Sequence, residues 1–118
     1  MAPRPKPERS NRSKRTARPS PTELDRLIEE ATVDAHNESE QASGFYSMME
    51  EYLAVPFTIE VLGVAVTVVG VALTEDDRIV AVCRRGKARQ RISLLDLPLP
   101  EPPPKGAEWI HAYRRWVG

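Results

Sequence analysis

The stretch "PFTIEVLGVAVTVVGVALTEDDRIVAVCRRGKARQRIS", Pro56 to Ser93, decides the fold. Its first half is rich in β-branched residues and reads as two strands meeting around Gly63. "TEDD" (Thr74 to Asp77) is a turn, "RIVAVCR" a third strand, "RGK" a tight turn at Gly86, and "ARQRIS" a fourth strand. Four short strands in sequence predict an antiparallel meander. Such a sheet is stable only when one of its faces is covered.

The cover comes from either side of the sheet. Upstream, Ser20 or Thr22 can cap a helix whose first turn carries Glu23 and Asp25, a favourable sign for the helix dipole. Leu24, Leu27, Ile28, Ala31 and Ala35 then repeat at helical spacing. The phase returns with Ala42, Phe45, Tyr46, Met49 and Leu53. This predicts one long helix, or a helical hairpin broken near Ser43-Gly44, ended by Pro56. Downstream, "LLDLPLPEPPP" is an extended, partly polyproline segment that lays Leu95, Leu97 and Leu99 across the surface. "GAEWIHAYRRW" is a short helix whose Trp109, Ile110, Tyr113 and Trp116 close the core. The expected class is α+β: an N-terminal acidic helix or helical hairpin on a four-stranded meander, a small half-barrel, with a proline-rich segment and a C-terminal helix.

The 118 residues suit one domain, and their zero net charge conceals a segregation. Residues 1–21 hold seven Lys/Arg against one Glu, with five prolines and few apolar side chains. That composition predicts a disordered basic tail, with a single domain over 22–118. Thr22 to Glu60 holds ten acids against one base, Arg26. An acidic half of this kind attracts cations or a basic partner. A lone Cys83 in an apolar run reads as a core side chain in a reducing cytoplasm. One Cys and two isolated His make no zinc set. The apolar run from Val61 to Leu73 is too short to span a bilayer, so no membrane association is expected.

"DAHNESEQASGF", Asp34 to Phe45, is the most informative acidic stretch. On a continuous helix Asp34, Glu38 and Gln41 share one flank, and Glu38 stands where the apolar stripe asks for a hydrophobic residue. A carboxylate at a core edge must be solvated, paired or ligated. No Lys or Arg lies between Arg26 and Arg78 to pair with it, although Arg84, Arg85 or Arg89 can reach it from afar. A hard cation is the alternative: Asp, Glu and amide oxygens are calcium ligands. If the chain folds back at Gly44, Glu50 and Glu51 join the same cluster. No EF-hand loop is present. The plain reading of all these acids is a solvated face, and for Glu75, Asp76 and Asp77 a hairpin turn, with metal binding by those three as the lesser alternative.

Three strings, "DAHNESEQASGFYSMMEEYLAVPF", "VLGVAVTVVGV" and "RIVAVCRRGKARQRISLLDLPLPEPPPKGAEWIHAYRRW", resemble the small non-EF-hand calcium-binding proteins of the cyanobacterial type. The resemblance spans roughly residues 24–117, and its LDLPLP, PPP and GAEW elements are its most specific part. It implies a helix-plus-β domain that binds Ca2+ through surface carboxylates, as a buffer or sensor. The family's acidic helix corresponds to Asp34, Glu38, Glu40 and Gln41, and its next acidic pair to Glu50-Glu51. His36, Asn37 and Ser39 interrupt an acidic stretch that is denser in the family. The basic tail lies outside the resemblance.

The chief rival is nucleic-acid binding by "RRGKARQR", which sets Arg84, Arg85, Lys87, Arg89 and Arg91 in one hairpin, with help from the tail. The plain account has those arginines pairing with the acidic helix. The proline-rich stretch also has the composition of a docking segment, though packing on its own domain suits it better. Neither His36 nor His111 has a nucleophile nearby in sequence, and no phosphate loop occurs, so no enzyme is expected. The expectation is a cytoplasmic, monomeric calcium-binding protein.

Overall fold

Helix α1, Pro21–Thr32, opens on a capping box: the Ser20 hydroxyl accepts from the Glu23 N–H at 3.2 Å, and the Glu23 carboxylate accepts from the Ser20 N–H at 2.9 Å. Pro21 at its start has no N–H to leave unsatisfied. The computed structural model describes residues 19–118. The disordered tail expected over 1–21 falls almost entirely outside them.

The helical stripe is broken, but not at Gly44. Residues 33–37 leave the helix, and α2, Glu38–Tyr52, begins afresh with Asn37 as its cap, whose side chain accepts from the Glu40 N–H at 2.9 Å. Gly44 instead lies inside α2, where it is the close-approach point of the helical hairpin. A Cβ there would overlap the Ala31 carbonyl oxygen and stand 3.2 Å from its carbonyl carbon. Here glycine serves contact between helices, not a chain reversal.

The meander follows, with β1 Phe57–Val61, β2 Val64–Leu73, β3 Ile79–Arg85 and β4 Ala88–Ser93 in the order β1-β2-β3-β4, all antiparallel. Leu62 and Gly63 join β1 to β2 with φ of 53° and 78°. Two positive φ values in a two-residue loop match the strand twist, and glycine takes the second without strain. A bulge between Val68 and Gly70 shifts the register of β2 on β3. On β3, Ile79, Ala81 and Cys83 are buried while Val80 and Val82 are half-buried on the opposite face. Helix α2 packs against β2, and α1 packs against α2.

Helix α3, Ala107–Val117, completes the core with Trp109, Ile110, Ala112 and Tyr113. Phe45 of α2 meets Tyr113 edge-on at 5.8 Å and Trp116 at 5.1 Å between ring centroids. The Tyr113 hydroxyl accepts from the buried Ile79 N–H at 3.1 Å, fixing α3 to the first residue of β3. Between β4 and α3, Leu97 is buried and Leu99 half-buried, not laid across the surface, and Leu94 before them is buried too; Leu95 is exposed as expected. The reason is Arg114, whose guanidinium donates to the carbonyls of both Leu94 and Leu97 and draws that segment inward. The expected α+β class stands. No described helix is long and apolar enough to cross a membrane.

Candidate functional site

Because α2 starts at Glu38, the apolar stripe has no gap there: Glu38 is the first residue of a new helix, exposed, with its carboxylate at the positive end of the dipole. Asp34 lies in the turn before that helix, so it does not face Glu38 across a helical turn as the sequence spacing suggests. Glu40 is used locally. Its carboxylate accepts from the His36 N–H at 2.6 Å, tying the turn to the helix start. Gln41 is half-buried one residue on.

Glu50 and Glu51 are not part of this group. Since α2 continues through Gly44, twelve residues of helix at about 1.5 Å each put Glu50 roughly 18 Å from Glu38. Glu50 is engaged by its neighbour one turn back: the Tyr46 hydroxyl donates to it at 2.8 Å. That hydrogen bond to the Glu50 carboxylate favours the protonated phenol and raises the Tyr46 pKa. Glu51 is exposed.

What α2 meets is the β2–β3 turn. The Ser39 hydroxyl donates to the Asp77 carboxylate at 3.2 Å, across 38 residues of sequence. Glu38, Asp76, Asp77 and Arg78 line a depression of about 400 Å³, with Tyr113 and Trp116 also on its wall. The turn is firmly built. The Thr74 hydroxyl donates to Asp76 at 2.6 Å and accepts from the Arg78 N–H at 3.0 Å. The Asp76 carboxyl is held below its ordinary pKa, first by the Thr74 hydroxyl, then by a backbone N–H and by Arg78, 3.8 Å away. Asp77 takes φ of 64°, a left-handed position that Asp tolerates better than most residues. Among the described residues no three His, Cys, Asp or Glu side chains converge into a ready-made metal cage. The donors around the depression are oxygens only, the chemistry of a hard cation, and Arg78 is the counter-charge already in place.

Asp76 and Asp77 are the residues whose place beside α2 was not apparent from sequence. In sequence the turn accounts for most of their role and metal binding is the lesser reading; the docking of a helix 38 residues away adds Glu38 and Ser39 to them. Cys83 is buried, and burial raises the pKa of its thiol, which suits an inert core side chain.

The chain matches a family model described as calcium binding, of the CcbP type, over residues 25–117. No curated protein matches it. Among solved structures it is similar to the crystal structure of Anabaena CcbP, with a TM-score of 0.61 and 19% identity, over 86% of this chain and 94% of that one. At that identity the structural likeness speaks for the fold. The family match covers nearly all the described residues, and by it the chain belongs to the CcbP-type calcium-binding family.

Proposed function

We propose that the protein binds calcium reversibly where the first turn of α2 meets the β2–β3 turn, and that it acts as a calcium buffer or sensor, not as an enzyme. Glu38, Asp76 and Asp77 supply the anionic oxygens, with the Ser39 hydroxyl beside them. Asp34, Glu40 and Gln41 flank the same helix start as auxiliary oxygens. The observation that carries this reading is the Ser39–Asp77 hydrogen bond, which joins two acidic segments remote in sequence around one depression. Exposed carboxylates must be drawn together, and Arg78 released from Asp76, before an ion is enclosed. That rearrangement favours weak to intermediate affinity, on the order of 10⁻⁶–10⁻⁴ M. It also gives occupancy a structural consequence at the α2–turn contact, which a sensor requires. Glu50 and Glu51 form a separate acidic pair that cannot share this ion.

Calorimetric titration of calcium tests the assignment. Glu38→Gln/Asp77→Asn should lose affinity at least tenfold, whereas Glu50→Gln/Glu51→Gln should titrate close to wild type. Equal isotherms for wild type and the first variant would refute the site. Loss confined to the second variant would move it to the far end of α2.

A further inference from the structure

Five cations crowd the β3–β4 hairpin: Arg84, Arg85, Lys87, Arg89 and Arg91, all exposed. The register sets Arg84 directly opposite Arg89 and Arg91 opposite Val82. These three arginines therefore share the face of the sheet that looks away from the buried Ile79, Ala81 and Cys83. Like charges directly opposite on a sheet repel, and a fold usually relieves them with a neighbouring carboxylate. The pairing with the acidic helix expected from sequence does not occur. Among the described residues, none of the five takes part in an ion pair or a side-chain hydrogen bond; the pairs that form are elsewhere, at Arg78–Asp76 and Arg115–Asp25.

We propose that this hairpin face docks on the phosphate backbone of nucleic acid without reading its sequence. Same-face residues two apart on a strand stand about 6.6 Å from one another, so Arg89, Arg91 and the facing Arg84 form a short, closely spaced row of guanidinium groups. Each presents a planar fork of donors suited to phosphate oxygens. The hairpin carries no aromatic residue on which a base could stack, so backbone contact is the whole of its offer. Its tip, Arg85-Gly86-Lys87, has no apolar side chain to enter a bilayer, which separates this surface from a membrane-inserting one.

The test is fluorescence anisotropy with a labelled 20-base-pair duplex of arbitrary sequence, using the full chain between 50 and 200 mM KCl. Each phosphate contact contributes about −0.9 to the slope of log K against log salt. Replacing three should flatten the slope by about 2.7 in Arg84→Gln/Arg89→Gln/Arg91→Gln. The basic residues 1–18 are present in both proteins and cancel in the comparison. The matching triple lysine variant, which keeps the charge, should keep the slope. The glutamine variant should fold at least as well as wild type, since it removes repulsion, and its circular dichroism melt checks this. Equal slopes for wild type and the glutamine variant would overturn the proposal. So would absence of wild-type binding at 50 mM KCl, or preferential binding to vesicles containing phosphatidylserine.

Discussion

Replacing Gly44 by alanine sets two terms of opposite sign against each other. In the interior of a helix, alanine is favoured over glycine by about 1 kcal/mol. At this position the added methyl would overlap the Ala31 carbonyl oxygen, and backbone atoms cannot rotate away as a side chain can. Relief requires α1 to move off α2, loosening the packing around Ala31, which is now only 7% exposed. Overpacking of this kind costs about 1–3 kcal/mol, more when backbone must shift. The clash offsets the propensity, leaving Gly44→Ala less stable by up to about 2 kcal/mol. For a domain of this size that is a fall in Tm of up to roughly 15 °C. Thermal melts and urea titration of the wild type and the variant would measure it. A Tm that rises would refute the close crossing and show an open helix interior at Gly44. Gly44→Ser, carrying the same Cβ, should fall at least as far.

Other substitutions probe the rest of the fold. Tyr113→Phe removes the acceptor of the buried Ile79 N–H and should cost about 1–3 kcal/mol in urea unfolding, because the donor is left without a partner. Leu62→Asn, at a 98% exposed turn position with φ of 53°, should stabilise by up to about 1 kcal/mol, since asparagine accepts the left-handed region that leucine resists. The Asp76 carboxyl should titrate below the ordinary carboxylate range by NMR, and Thr74→Val should bring it back up. Because that pKa is depressed in the folded state, the stability it contributes is present above the unfolded pKa and is lost as pH falls through the folded one.

The β-sheet could be read from sequence because its information is local. β-Branched runs and short turns mark each strand, and neighbouring strands in the chain are neighbours in the sheet. The N-terminus of α1 could be read for the same reason, since Ser20 and Glu23 meet within one turn. The break between the helices carried a local signal too, in Asn37 and Glu40, but the returning apolar phase at Ala42 and Phe45 hid it. The burial of Leu94 and Leu97 depends on Arg114, about twenty residues further on, and nothing in the proline-rich segment announces that partner. Glu38 stands out in sequence as a gap in an apolar stripe, a gap that disappears once α2 begins at that residue. Its true neighbours, Asp76 and Asp77, come from a tertiary contact that spacing along one helix cannot express.

The contact between Ser39 and Asp77 also makes the carboxylate depression a joint between two pieces that fold by different rules. The meander pairs segments adjacent in the chain, while the helical hairpin reaches its turn by a contact across 38 residues. A divalent ion held there would bind neither piece alone, so mass action would draw the docked form out of any loosened ensemble. Amide exchange should then slow together at the start of α2 and in the β2–β3 turn, two places that share no stretch of chain.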